Sequence, residues 1–345
     1  MDGITDAAFR LTQVEISKPD LIFTEFVSAE GIAHNAVKLF DQLLYSPLER
    51  PIIGQLFGKD PDSFYLATLI LCHLGFDGID LNMGCPAKTV TQHGSGAALI
   101  EKPELAGQII IATKKAIDDY QNNPKILKTL NLKQKVLDVI KRNLNYSEIL
   151  VETLLCNVST DKKNDDNPTK KISFSIKTRI GTTDSQVDTW ITHLCSFSPD
   201  FITLHGRTLK QGYAGLANWD EIKKAADICH QNNVKIFGNG DLQTRQMAIE
   251  YCKKYGTDGA LIGRAAMGNP WIFANKQATF TEKYQAMLKH AKHFVEIFPN
   301  RRFDPLRHHF LLYVSGHPSA SALRQKIVKL TSIDTLCTLE HDITD

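Results

Sequence analysis

Ile79-Asp80-Leu81-Asn82-Met83-Gly84-Cys85-Pro86-Ala87-Lys88 is the stretch on which the fold turns. Ile79 and Leu81 alternate with polar neighbours as in a short buried strand, and Gly84 and Pro86 stop it. The stop gathers an amide, a thiol and an ammonium at one strand end. In a parallel α/β barrel that end carries the chemistry. A lone cysteine ordinarily reads as a small buried apolar residue; the company Cys85 keeps argues for a chemical role.

Outward from this stretch, short apolar runs alternate with helical patterns. Strand candidates are Leu21 to Phe26, Ile52 to Leu56, Gly78 to Asn82, Ser173 to Lys177, Phe201 to His205, Val234 to Gly238 and Gly259 to Gly263. Amphipathic helices fit Glu104 to Ile117, after Pro103 at the first helical position, then Asp188 to Cys195, Trp219 to Asn232 and Thr244 to Tyr255. Repeated strand–helix units imply a parallel sheet covered on both faces. The expected fold is a (β/α)8 TIM-type barrel with its first strand missing or truncated, because the opening Met-Asp-Gly-Ile-Thr-Asp reads as the loop after a strand. The expected division is a barrel over 1–275, with a helical insertion at about 119–171, and a helical domain over 276–345.

Composition excludes several classes. The 345 residues are 43% hydrophobic and 23% charged, with a net charge of +2, which is ordinary globular material. The seven cysteines, Cys72, Cys85, Cys156, Cys195, Cys229, Cys252 and Cys337, form no Cys-x-x-Cys pair. A disulfide framework and a zinc site are therefore not expected, and a reducing cytoplasm fits. No apolar run reaches the roughly 18 residues of a membrane span, and the N-terminus lacks a signal-peptide pattern.

Two segments break the barrel rhythm. Between Asp119 and Lys171, Leu132, Val136, Leu137, Ile140 and Leu144 follow helical spacing, Ser147 is placed to cap a second helix through Cys156, and Asp161 to Lys171 is a run of charges. This reads as an inserted helical hairpin, either decoration or functional. From Lys276 to Leu330 ten basic residues face three acidic ones, a local +7. Such a bias is either a solvated helix face or a footprint for a polyanion.

Phe237-Gly238-Asn239-Gly240-Asp241 and Ile262-Gly263-Arg264-Ala265-Ala266 close the last two strands. In such barrels these loops commonly hold a phosphate on backbone N–H groups, with Arg264 adding charge. The middle strands end in Gln55, in Lys177 and Arg179, and in His205 and Arg207. Polar ends on an apolar barrel call for a ligand, and the pyrimidine edge of a flavin suits Gln, Lys and His donors. Lys177 near N1 and O2 would stabilise the reduced anion.

The motifs at 82–86, 176–181, 204–208, 238–241 and 262–271, in this order, resemble the tRNA-dihydrouridine synthase family, and Met1 to Arg10 is similar to its opening motif. The resemblance spans nearly all of the chain outside 119–171. It implies FMN contacted by Met1, Asp2, Gln55, Lys177 and His205, with the phosphate on Asn239, Gly240, Asp241, Gly263 and Arg264. It implies Cys85 as general acid, and Asn82, Lys88, Arg179 and Arg207 along the uridine and RNA approach. The loop through Gln211 and Tyr213 resembles the one after the family's His motif. Arg307 stands near a basic motif of its RNA-docking helices. The implied reaction reduces tRNA uridines to 5,6-dihydrouridine. Hydride passes from reduced flavin N5 to C6, a proton from Cys85 to C5, and NADPH (or NADH) restores the flavin. A thiol with pKa near 8.5 is still protonated at neutral pH. The target base must leave its stack. The implied partner is tRNA, with no metal, membrane or obligate protein partner, and the expected state is a monomer. Two alternatives remain at this level: an FMN barrel reducing a small molecule of dihydroorotate or enoate type, and an RNA-binding member with impaired catalysis.

Overall fold

The computed structural model describes residues 1–130, 132–155 and 171–344. They fall into two compact units, one of Leu21–Asp241 with Ala248–Leu261, the other of Met1–Asp20, Leu242–Met247 and Ile262–Asp345.

The first unit holds all seven strands: β1 (Ile22–Ser28), β2 (Ile52–Phe57), β3 (Gly78–Met83), β4 (Ser173–Arg179), β5 (Phe201–His205), β6 (Lys235–Asn239) and β7 (Gly259–Leu261). All neighbours are parallel and the spatial order is the chain order, as in a TIM-type barrel. Among the described residues the sheet is open between β7 and β1, the interval that a further barrel strand would occupy.

Alternation decides what each strand offers. One register line runs Gln55–Asp80–Ser175–Phe201, the next Asn82–Lys177–Thr203–Phe237, and the last Arg179–His205–Asn239. These side chains share the inner face. Phe201 stacks on Phe237 at 4.6 Å between ring centroids and meets Phe23 edge-on at 6.3 Å, giving the polar groups an aromatic floor. Intervening residues face the helices. A Cβ on Gly54 would strike Leu71 and Phe76, one on Gly238 would overlap the Trp219 ring, and Trp190 Nε1 donates to Thr178 Oγ1 at 2.9 Å.

The helices start where their caps dictate. Asp60 accepts from Ser63 N ahead of Pro61–His73, with Pro61 at the first position, and Asn218 opens Trp219–Gln231. One expectation changes. The inserted hairpin is a single helix, Gln134–Leu155, running straight through Ser147. No Gly or Pro interrupts 134–155, so nothing forces the break that a serine cap would need. This helix docks on 37–43: Asn143 Nδ2 donates to Phe40 O at 2.9 Å and Arg142 pairs with Asp41 at 2.8 Å. Cys156 and residues 161–170 of the charged run lie outside the described residues. Lys171 pairs with Asp200 at 2.6 Å.

The second unit is helical, as expected of the C-terminal stretch. Its helices include Ala7–Ile16, capped by Asp6, Phe280–Ile297, opened by a Thr279/Glu282 capping box, Asp304–Tyr313 and Ala320–Ile327. Its interior brings two buried histidines together. His290 and His309 meet at 4.8 Å, and Phe9 lies 6.0 and 5.5 Å from them. Among the described residues neither ring nitrogen of His290, nor Nδ1 of His309, has a hydrogen-bond partner. Burial holds both rings neutral, His309 at a pKa of about 4 and His290 well below the ordinary histidine value.

Candidate active site

All six residues of β3 are buried, and its inward side chains are polar. Asp80 is fully buried. Ser175 Oγ donates to its Oδ1 at 2.6 Å and Gln55 Nε2 to its Oδ2 at 2.8 Å. Burial raises this carboxyl to a pKa of about 6, against the pull of those two bonds and of the Lys177 charge. Sequence reasoning assigned Asp80 no role. The available signal was its inward parity between Ile79 and Leu81.

Asn82 is buried rather than spread along an open approach. Its Nδ2 donates to Gln55 Oε1 at 2.9 Å, and its Oδ1 accepts from the N–H groups of Gly84 at 3.1 Å and Cys85 at 2.9 Å. This turn sets Cys85, which is buried. Cys85 O accepts from Ala97 N at 3.1 Å. Gly96, at φ +60°, lies so close that a Cβ there would come within 2.8 Å of Cys85 O, so glycine serves both the turn and the close approach. Lys88 is exposed at the start of the short helix Lys88–Thr91.

Lys177 stands next to Asn82 on the register line. Among the described residues its ammonium makes no hydrogen bond. Burial and the neighbouring Arg179 charge lower it to a pKa of about 8, with Asp80 opposing the shift. Arg179 is 3% exposed. Its Nε donates to Gly84 O at 2.7 Å, and its Nη1 to Thr208 O at 3.1 Å and Gly212 O at 3.3 Å. It therefore ties the cysteine loop to the loop after β5.

Arg207 is 2% exposed. One nitrogen, Nη2, donates to both carboxylate oxygens of Asp241 at 2.7 Å and to Gly215 O at 2.7 Å, while Nε has no partner among the described residues. Nη1 lies 3.4 Å from His205 Nε2, which must accept, since a guanidinium only donates. Asp241 also accepts from Ala217 N at 2.7 Å. Arg207 and Asp241, read separately as RNA and phosphate contacts, thus bind each other. Gly240 has φ +135°, and a Cβ on it would come within 2.5 Å of Ala217 Cβ and 3.3 Å of His205 Cδ2. Asn239 Nδ2 donates to Leu261 O at 2.9 Å.

The first unit thus brings Gln55, Asn82, Cys85, Lys177, Arg179, His205, Arg207, Asn239, Gly240 and Asp241 to the strand ends of one sheet. The donor set fits a planar ring rich in acceptors: an ammonium without an acceptor among the described residues, a second Nε2 hydrogen on Gln55, and a glycine backbone beside His205.

Met1, Asp2, Gly263, Arg264 and Arg307 belong to the other unit. There the N-terminal ammonium donates to Thr5 Oγ1 at 2.6 Å, a Cβ on Gly263 would lie 3.8 Å from Met1 Sδ, and Arg264 opens the turn Arg264–Ala266. Arg307 Nε donates to Leu330 O at 2.7 Å and Nη1 pairs with Asp304 of its own helix at 2.7 Å, so this arginine ties its helix to the segment after Ala320–Ile327. Among the described residues no group of three or more His, Cys, Asp or Glu could hold a metal ion, and no helix is long and apolar enough to cross a membrane.

A family model described as dihydrouridine synthase matches residues 1–142 and 158–344. A probable tRNA-dihydrouridine synthase of Staphylococcus aureus (strain COL) is 27% identical over 344 residues, covering 96% of this chain and 88% of the relative. A probable tRNA-dihydrouridine synthase 2 of Bacillus subtilis (strain 168) is 27% identical over 352 residues, covering 99% and 91%. Among solved structures, the DHODH of Eimeria tenella in complex with ferulenol has a TM-score of 0.41 at 13% identity, over 72% of this chain and 62% of that one.

Proposed function

This chain belongs to the dihydrouridine synthase family, and on that premise we propose that it is an oxidoreductase reducing specific tRNA uridines to 5,6-dihydrouridine, with Cys85 as the proton donor, FMN as the flavin and NADPH as its reductant. The observation that carries the reading is the turn at the end of β3. Asn82 fixes the backbone of Cys85 beside an inner face that offers hydrogen-bond donors at Gln55 and Lys177.

FMN, when bound, supplies the hydride. Gln55, Lys177 and His205 would hold its polar ring edge, and the Asn239–Gly240 backbone would offer N–H groups to its phosphate. Lys177 would bring positive charge to the edge that becomes anionic on reduction. The thiol of Cys85 would stay protonated until a uracil base presents C5 to it, then give up its proton. Arg179 is a positioning residue in this scheme, because it acts on the Gly84 carbonyl next to Cys85. The basic residues between Lys276 and Leu330 would meet tRNA phosphates, giving a salt-dependent affinity.

The test is Cys85→Ala. The variant is expected to bind FMN as the parent does, read by visible absorbance, and to lose at least about a hundredfold in dihydrouridine formation, the scale of a general acid. Full activity in that variant would remove Cys85 from the role.

A further inference from the structure

A single file of hydrogen bonds runs from the inner face of the sheet to Cys85. Ser175 and Gln55 donate to Asp80, Asn82 donates to Gln55, and the N–H groups of Gly84 and Cys85 donate to Asn82. Both ends have fixed polarity. A backbone N–H can only donate, and a carboxylate can only accept. The two amides between them each have one donor end and one acceptor end, so a single arrangement satisfies every link. Asp80, Gln55 and Asn82 are 0%, 6% and 7% exposed, so water is poorly placed to replace a missing partner. Among the described residues Asp80 forms no ion pair, and the Lys177 charge acts on it from a distance.

From this geometry we propose that Asp80 is the positioning residue for Cys85, setting the Gln55 amide, through it the Asn82 amide, and through that the turn that presents the thiol. Removing Asp80 leaves the Gln55 NH2 group buried without an acceptor. The amide then gains by rotating, Asn82 loses its acceptor in turn, and the carbonyl that holds the Cys85 N–H is no longer aimed. Ser175 serves the same end by anchoring the second carboxylate oxygen. The positioning role rests on Cys85 being the proton donor, whereas the hydrogen-bonded file itself does not.

The experiment reads Cys85 directly. The full-length protein, without added flavin, is treated with iodoacetamide, and the alkylation rate of each cysteine peptide is followed by mass spectrometry. Exposed Cys337 serves as the internal reference. Asp80→Ala and Gln55→Met, which cuts the file in the middle, should each change the Cys85 rate by about tenfold, the scale of one lost buried hydrogen bond, with the Cys337 rate unchanged. Because the links are in series, Asp80→Ala combined with Gln55→Met should do no more than either alone. Asp80→Asn keeps both hydrogen bonds, with its oxygen toward Gln55 and its NH2 toward Ser175, and should restore the Cys85 rate to within about twofold of the parent.

A parental Cys85 rate in Asp80→Ala, or a double variant equal to the product of the two singles, would overturn the proposal. Should Asp80→Ala fail to fold by circular dichroism, Gln55→Met and Asp80→Asn decide it, and a parental rate in Gln55→Met has the same overturning force. Dihydrouridine formation that survives Cys85→Ala removes the proton-donor role and with it the positioning role, while the alkylation rates still report on the file.

Discussion

Lowering the pH from 7.5 to 5.0 should destabilise the helical unit through the buried pair His290 and His309, and His309 allows the size of the effect to be worked out. Its ring is 3% exposed and titrates at about 4 in the folded chain against 6.5 as the ordinary value. Between those values the unfolded chain holds the proton and the folded chain does not, so stability rises with pH there. The contribution is complete above 6.5, declines as the pH falls, and is exhausted by about 4. Over the whole window the gap corresponds to about 3 kcal/mol, of which about 2 kcal/mol is lost by pH 5. His290, fully buried and shifted in the same direction, adds to the loss. Asp80 works the other way, because its folded value near 6 lies above the ordinary carboxylate value. The measurement is therefore a difference between variants. Urea midpoints of the parent and of His309→Leu are compared at both pH values. The leucine removes both the titration and the orphaned Nδ1, so the variant should gain about 2 kcal/mol on the parent between pH 7.5 and 5.0. A difference that stays constant within about 0.5 kcal/mol, smaller than one hydrogen bond, would refute the assignment of a neutral buried ring.

Three further outcomes follow from other parts of the molecule. Asp241→Ala strands the Arg207 guanidinium, 2% exposed, and should cost about 3–5 kcal/mol in denaturant unfolding; Arg207→Met should cost less, since Asp241 is 21% exposed and can be hydrated, and equal costs would contradict the asymmetry. Gly240→Ala must fit a Cβ within 2.5 Å of Ala217 at φ +135° and should cost about 1–3 kcal/mol and weaken FMN uptake, read by flavin absorbance after gel filtration. Asn143→Ala removes the donor to Phe40 O and should cost about 1–3 kcal/mol, with faster amide hydrogen exchange at 37–43 if the inserted helix is docked as described.

The sheet was readable in the sequence for a definite reason. Each strand is a short apolar run stopped by Gly, Pro or a polar residue, and all seven sit within two residues of their expected bounds. Helix Pro61–His73 escaped because Phe64, Ala67, Leu69, Ile70, Leu71 and Cys72 are all buried, leaving no polar face to betray a period of 3.6 residues. Ser147 misled because a capping residue is also tolerated inside a helix. At the site, residue types could be read but their partners could not. Arg207 and Asp241 are 34 positions apart, and only β5 lying beside β6 brings them together. Asp80 looked like one more polar residue in a strand until Gln55 and Ser175 closed on it from both sides.

Arg179 has a consequence for how enzymes of this shape can diversify. One guanidinium grips the carbonyl of Gly84 on one loop and those of Thr208 and Gly212 on another, though the loops are more than a hundred residues apart in the chain. The two loops are therefore one heritable part. A length change in either must be matched in the other or the clamp opens, and transplanting the cysteine loop from a relative should succeed only when the 206–217 loop travels with it.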